Sequence, residues 1–303
     1  DGTVWVSGDL DGFTGVFPRA LSPTAATGET WLQLSCAGST YLALRSDGTL
    51  WGWGYAGWGT LGNGSTLNRF SLTQIGVENQ WAKLAVGSHS IFGNSAFAIK
   101  QDGTLWATGY NVNNNLGDGT TSQRNSFLQI GSATDWAHVA PGQHHGIGIK
   151  TNGTLWTWGR NNNGQIGDGT LANSTVPKQI GTDTDWSHAA GGLNHSLAIK
   201  TDGTLWGWGQ NGGGQLGLGD NSDRLVPTQV GTDTDWAVIS SGSHVLAIKA
   251  DGSLWTWGQN NYGQHGLGNT SNRNTAERIG QDNHWTRVWA TRHSSMAMSA
   301  DGR

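Results

Sequence analysis

The side chains here that could do chemistry are histidines, turn carboxylates, a single cysteine and many aromatics. His145, His195 and His244 fall at one repeated spacing, and His144-His145 is the only adjacent pair. A zinc site needs ligands that converge within a few ångströms. Equivalent positions of a repeat diverge instead, and neighbours on a strand point to opposite faces. The histidines are therefore expected to hydrogen-bond the turns they close, and no metal is expected. Lys83, His138, His188 and Arg287 share a second repeated position, completed by Gln33 and Val238. They could form a cofactor or reaction site, or simply line a water-filled channel. Asp183, Asp185, Asp233 and Asp235, and the run Asp9-Leu10-Asp11-Gly12, read as turn residues, because calcium wants six or more convergent oxygens. Cys36 lies in an apolar run and reads as a small core residue, not a nucleophile. Neither a Gly-x-Ser-x-Gly elbow nor a phosphate-cradling Gly-x-x-x-x-Gly-Lys is present. The expectation is no catalytic residue, no cofactor and no enzyme.

These residues are positioned by a repeat. The phrase Asp-Gly-Thr-Leu-Trp or a close variant starts at Asp1, Asp47, Asp102, Asn152, Asp202 and Asp251, and Asp301-Gly302 begins another copy. A second landmark keeps step: Trp31, Trp81, Trp136, Trp186, Trp236 and Trp285. Each unit reads as four strands, for example 176–180, 186–190, 195–200 and 204–208, with Gly, Asn and Asp at the turns. No segment has a helical period. Four-stranded units repeated six times predict an all-β, single closed six-bladed β-propeller over residues 1–303. The chain begins and ends inside one hairpin, so the last blade is expected to take strands from both termini and leave no free sheet edge.

Composition agrees with this reading. Forty-nine glycines suit many tight turns and 18 tryptophans supply large buried area. A net charge of −4 without basic clusters excludes a nucleic-acid footprint. There is no apolar stretch near the length of a membrane span and no polybasic run. Low charge with abundant Asn, Thr, Ser and Gly suits an exported microbial protein, so an extracellular or cell-surface location is expected. The sequence opens on Asp1, as expected of a processed or excised chain.

The best repeat copy reads Ala189-Ala190-Gly191-Gly192-Leu193-Asn194-His195-Ser196-Leu197-Ala198-Ile199, then Asp202-Gly203, Trp208-Gly209 and Gly214-Gln215-Leu216-Gly217. The last loop recurs as Gly164-Gln165-Ile166-Gly167 and Gly263-Gln264-His265-Gly266. This pattern resembles the regulator of chromosome condensation repeats, which implies a propeller whose common role is to hold another macromolecule. Relatives include a chromatin-bound exchange factor, a plant ultraviolet-B photoreceptor and a secreted β-lactamase inhibitory protein. The photoreceptor's Gly-Trp-Arg-His-Thr is absent, the nearest stretch being Ala290-Thr291-Arg292-His293-Ser294. Such relatives usually have seven blades, whereas six units are present here. The bacterial, secreted type is the most similar.

Strand direction sends two loops per unit to one face, called the top, and short turns to the other. Departures from the repeat on that face are the candidate binding residues. They are Tyr55, Trp58, Tyr110, Arg160 and Tyr262 in the longer loops, and His89 and Phe92 in the enlarged turn of the second unit. Trp289 replaces the small residues Ser35, Ala85, Ala140, Ala190 and Ser240, with Arg292 close behind. Aromatics and arginine dominate binding hot spots. The reading is a monomeric, non-enzymatic scaffold for a protein partner; the alternative partner is a glycan.

Overall fold

The computed structural model describes residues 5–6, 24–25, 30–87 and 94–301. Its unit of construction is the Asp-Gly-Thr-Leu-Trp phrase, which closes on itself. Asp202 Oδ1 accepts the backbone N–H of Thr204 at 2.9 Å and its hydroxyl at 2.7 Å. The Thr204 oxygen in turn accepts the indole N–H of Trp206 at 3.0 Å. Gly203 has a φ of +78°, and a Cβ there would collide with the carbonyl oxygen of Thr234, so only glycine fits. Leu205 points the other way and is fully buried. The same relay runs through Asp47, Thr49 and Trp51, through Asp102, Thr104 and Trp106, and through Asn152, Thr154 and Trp156.

Each turn joins the middle strands of an antiparallel sheet. The fourth sheet runs Trp186–Gly191, His195–Lys200, Leu205–Gly209 and Arg224–Gln229, paired in chain order. The first (Trp31–Ala37 to Arg69–Gln74), second (Trp81–Gly87 to Arg124–Gln129), third (Trp136–Pro141 to Ser174–Gln179) and fifth (Trp236–Ser241 to Arg273–Ile279) have the same form. First strands of successive sheets lie side by side, which makes the molecule an all-β propeller with these strands innermost. The sixth sheet has two strands, Trp285–Ala290 and Ser295–Ser299. Its expected partners fall within residues 1–29, of which Trp5–Val6 and Thr24–Ala25 are described, paired with each other as a separate sheet.

Two sets of tryptophans hold the blades. Trp81, Trp136, Trp186 and Trp236 are buried and meet Trp106, Trp156, Trp206 and Trp255 edge-on. The ammonium of Lys200 lies 4.9 Å from both Trp186 and Trp206, and Lys100, Lys150 and Lys249 repeat this. The bottom-turn carboxylates complete the stack: Asp183 and Asp185 take Lys200 at 2.6 and 3.2 Å, and Asp233 and Asp235 take Lys249. These aspartates hold lysine. The other set, Trp158, Trp208 and Trp257, is fully buried, and each indole donates to a loop carbonyl of the preceding sheet. Full burial of a large apolar side chain contributes roughly 1.5–3 kcal/mol.

Two expectations are corrected. The repeated histidines bond across sheets rather than to their own turns. His145 Nε2 meets Ser196 Oγ at 2.9 Å, His195 meets Ser241 at 2.8 Å, and His244 meets Ser295 at 2.7 Å. Each hydroxyl stands on the next sheet, and the histidine ring fills the space beside the repeat's glycine, as His145 does at Gly142. Cys36 is exposed, not in the core. The first sheet has no described blade before it, so Leu34 is 47% exposed while its counterpart Leu84 is 2% exposed.

Trp208→Phe is expected to destabilise the chain by about 1–3 kcal/mol, through the lost indole donor. Trp208→Ala, which also opens a cavity, should cost about 3–5 kcal/mol. Denaturant unfolding of the two variants checks the difference.

Candidate functional site

The top-face loops are braced by their own side chains. In the third sheet's loop, Asn161 Oδ1 accepts the Ile166 N–H at 2.9 Å, while its amide donates to the carbonyls of Thr170 and Ala172 at 3.0 Å. Gln165 Oε1 accepts the Asn163 N–H. Asn111, Asn211 and Asn260 anchor their loops likewise. The long loop of each sheet is also tied to the short turn beside it: Tyr110 N to Asn94 O, Arg160 N to His144 O and Gln210 N to Asn194 O, each at 2.9 Å. Both loops of a unit therefore share one end, as strand direction requires. A braced loop presents its remaining side chains with little ordering cost.

On this frame, parts of three sheets converge. Trp58 meets Tyr110 edge-on with ring centroids 5.4 Å apart, and Tyr110 lies 6.0 Å from the ring of His144. His144 is buried, with Nδ1 3.5 Å from the amide of Asn115. Burial first, and then the charge of Arg160, lower the pKa of His144 to about 4, so it is a neutral ring at pH 7. Trp58 is 38% exposed and has a φ of +64°. A left-handed backbone on a bulky residue is a true outlier. The equivalent Asn113, Asn163 and Tyr262 do not share it.

The other candidates are dispersed. Tyr55 is half-buried where the first long loop begins. Tyr262 is exposed and lies 4.4 Å from the ring of His293, beside the exposed Arg292. Trp289 lies within the inner strand of the sixth sheet, not in a loop. At its register, the Ser35 and Ser240 hydroxyls accept backbone N–H groups of the next sheet. His89 and Phe92 lie outside the described residues. Sequence reasoning gave His144 no binding role; the available signal was its place at a turn position held elsewhere by Asn94, Asn194 and Ser243.

At the shared inner-strand position, three side chains form struts. Gln33 exchanges two hydrogen bonds with Leu84, at 2.6 and 3.0 Å. Lys83 donates to the carbonyl of Ala137, and His138 Nε2 bonds that of Ala189 at 3.0 Å. The rings of His138 and His188 lie 4.7 Å apart in a cleft of about 680 Å³ that Lys83 also lines. Burial, then the neighbouring His188, lowers the His138 pKa to about 4; burial and the Lys83 charge lower that of His188. Both shifts favour the neutral ring. Among the described residues, no three His, Cys, Asp or Glu side chains are grouped to hold a metal.

A family model for the regulator of chromosome condensation (RCC1) repeat matches residues 152–199 and 202–248. A second model of this repeat matches 136–165, 187–215 and 240–264. Among solved structures, human WBSCR16 is 19% identical with a TM-score of 0.82, over 97% of this chain and 81% of that one. Yeast RCC1 (Prp20), solved bound to Kap60, is 20% identical with a TM-score of 0.79, over 92% and 71%. Prp20p from Saccharomyces cerevisiae, solved alongside a study of its binding to Gsp1p and histones, is 20% identical with a TM-score of 0.77, over 89% and 70%. At these identities the likeness establishes the fold.

Burial fixes the pH response. His138, His144 and His265 have folded values of about 4 and His145 about 3, each lowered mainly by burial. Above the unfolded value near 6.5 neither state is protonated, so the stability is fully present. As pH falls below that, the unfolded chain takes up protons that the folded chain excludes. Stability should therefore drop between about pH 6.5 and pH 4, by up to about 1.4 kcal/mol per pH unit per histidine. Denaturant titrations at pH 7 and pH 5 measure this drop.

Proposed function

We propose that this chain, whose blades carry regulator of chromosome condensation repeats, is a non-enzymatic scaffold that grips a protein partner with its top face. The observation that carries the reading is Trp58. Holding a tryptophan with positive φ costs about 1–3 kcal/mol, and it leaves the ring partly exposed against Tyr110. Nothing in blade packing calls for that, since the other units pack without it. Trp58, Tyr110 and Arg160 are the residue types that anchor protein interfaces, and their loops are held by hydrogen bonds of their own, in the Trp58 loop through Asn68 and Thr60 in place of the Asn anchor. The protein-binding relatives support the same role: yeast Prp20 was solved with Kap60, and its binding to Gsp1p and histones was studied.

The finer architecture belongs to the same reading: a ring of six blades, closed by chain from both termini. Asp1 opens a copy of the repeat phrase. Leu34 and Met296 are exposed, whereas Leu84, Val139 and Ile239 at the Leu34 register and Leu42, Ile147 and Leu197 at the Met296 register are buried. A closing sheet would cover both.

Panning a displayed random peptide library against the chain tests the first proposal. Selected peptides should lose at least about thirtyfold in affinity on Trp58→Ala, the loss expected of a hot spot near 2 kcal/mol. Affinities indifferent to Trp58→Ala would rule out this site. For closure, Leu34→Ala should cost about 2–5 kcal/mol, like Leu84→Ala; a cost below about 1 kcal/mol would mean that the ring stays open at that edge.

A further inference from the structure

In four sheets a cation of the outermost strand pairs with a carboxylate, and in three of them that cation is the arginine that begins the strand. Arg124 in the second sheet reaches Asp118 Oδ2 through Nε at 2.8 Å and Nη2 at 2.6 Å. In the third, Lys178 reaches Asp168 at 2.6 Å. In the fourth, Arg224 reaches Asp220 at 2.6 Å, and in the fifth Arg273 pairs with Glu277. Three registers thus supply the carboxylate: those of Asp118 and Asp168, of Asp220, and of Glu277.

The first sheet keeps the cation and lacks all three. Arg69 begins its outer strand, paired with Gly54 at the top-face end. The three registers hold Asn63, Ser65 and Thr73, and residues 55–68 contain no Asp or Glu. Among the described residues, no carboxylate lies within ion-pair distance of Arg69. Asn63 keeps half of the aspartate's task. Its Oδ1 accepts the Ser65 N–H at 3.1 Å, just as Asp118 Oδ1 accepts that of Thr120 at 3.0 Å. Its other arm is an NH2, buried and without an acceptor, at the register where Asp118 offers Oδ2 to arginine. Two donors therefore stand at the registers where the second sheet sets a donor against an acceptor. Flanking Arg69 in sequence are Leu67, 69% exposed, and Phe70, 62% exposed. At the Leu67 register the other sheets have Ser122, Ala172, Ser222 and Ser271.

We propose that the upper outer rim of the first sheet is a recognition site for an acidic side chain of a protein partner, whose carboxylate takes the place at Arg69 that the second sheet fills with Asp118. Charge complementarity names the occupant: a guanidinium left without its internal carboxylate, bordered by exposed apolar side chains, fits an Asp or Glu beside apolar residues. Arginine suits this because its planar fork binds carboxylate in two-point geometry. The inference rests on the protein-binding reading of the top face and adds the partner's chemistry.

The molecule supplies its own competitor for a test. Asn63→Asp should rebuild the internal pair on the pattern of Asp118 and Arg124, so the chain should unfold at no lower temperature. Peptides panned from a random library on the wild-type chain should be enriched in Asp or Glu next to apolar residues. Their affinity should fall at least about tenfold on Asn63→Asp and on Arg69→Met, the loss of a charge-assisted pair, and weaken with added salt. Binding unchanged by both variants, or selected peptides without acidic preference, would overturn the proposal. Peptides that lose affinity on Trp58→Ala but not on Asn63→Asp would remove this site and leave the protein-binding reading intact.

Discussion

No sheet of this propeller satisfies its own polar groups. The indoles of Trp158, Trp208 and Trp257 donate to carbonyls of the sheet before. The rings of His145, His195 and His244 need hydroxyls of the sheet after. Even the inner-strand residues Gln33, Lys83 and His138 spend their side chains on a neighbour's backbone. A buried donor or acceptor left alone costs about 1–3 kcal/mol, so the blades are mutually obligatory. The apolar clusters obey the same rule, since Trp208 packs with Ile147 and Ile149 of the preceding sheet.

Rigidity of this kind separates structure from function. A residue that recurs from unit to unit is committed to a bond that the blade requires, as the Asp–Thr–Trp relay is. What remains for recognition are the exceptions carried by braced loops. Trp58, Tyr110 and Arg160 are exceptions in residue type, and Arg69 is one in its missing partner. All four lie in or beside loops of the first three sheets on one face.

The parts written locally were legible in the sequence. The turn relay uses residues two apart, so its phrase announced the turns, and the recurring Trp-Gly announced the buried indoles. The top face followed from counting strand directions. What was not legible depends on a neighbour about fifty residues away. The partner of His195 is Ser241, and nothing in the local pattern of either residue tells the one from the other. Cys36 sits in an apolar run, yet whether that run is covered depends on the blade beside it. The conformation of Trp58 is a property of three dimensions alone, because neighbouring units carry Asn113 and Asn163 at that register without a positive φ.

Gln165 offers one carbonyl to two donors of the next sheet, the hydroxyl of Ser196 and the indole of Trp208. Gln264 likewise serves Ser295 of the following sheet. These acceptors always precede in the chain the groups that need them. During synthesis from the amino end, each of these acceptors leaves the ribosome before its donors, while the rings of His145, His195 and His244 wait for hydroxyls still to be made, so every new blade from the third to the fifth both closes one seam and opens the next.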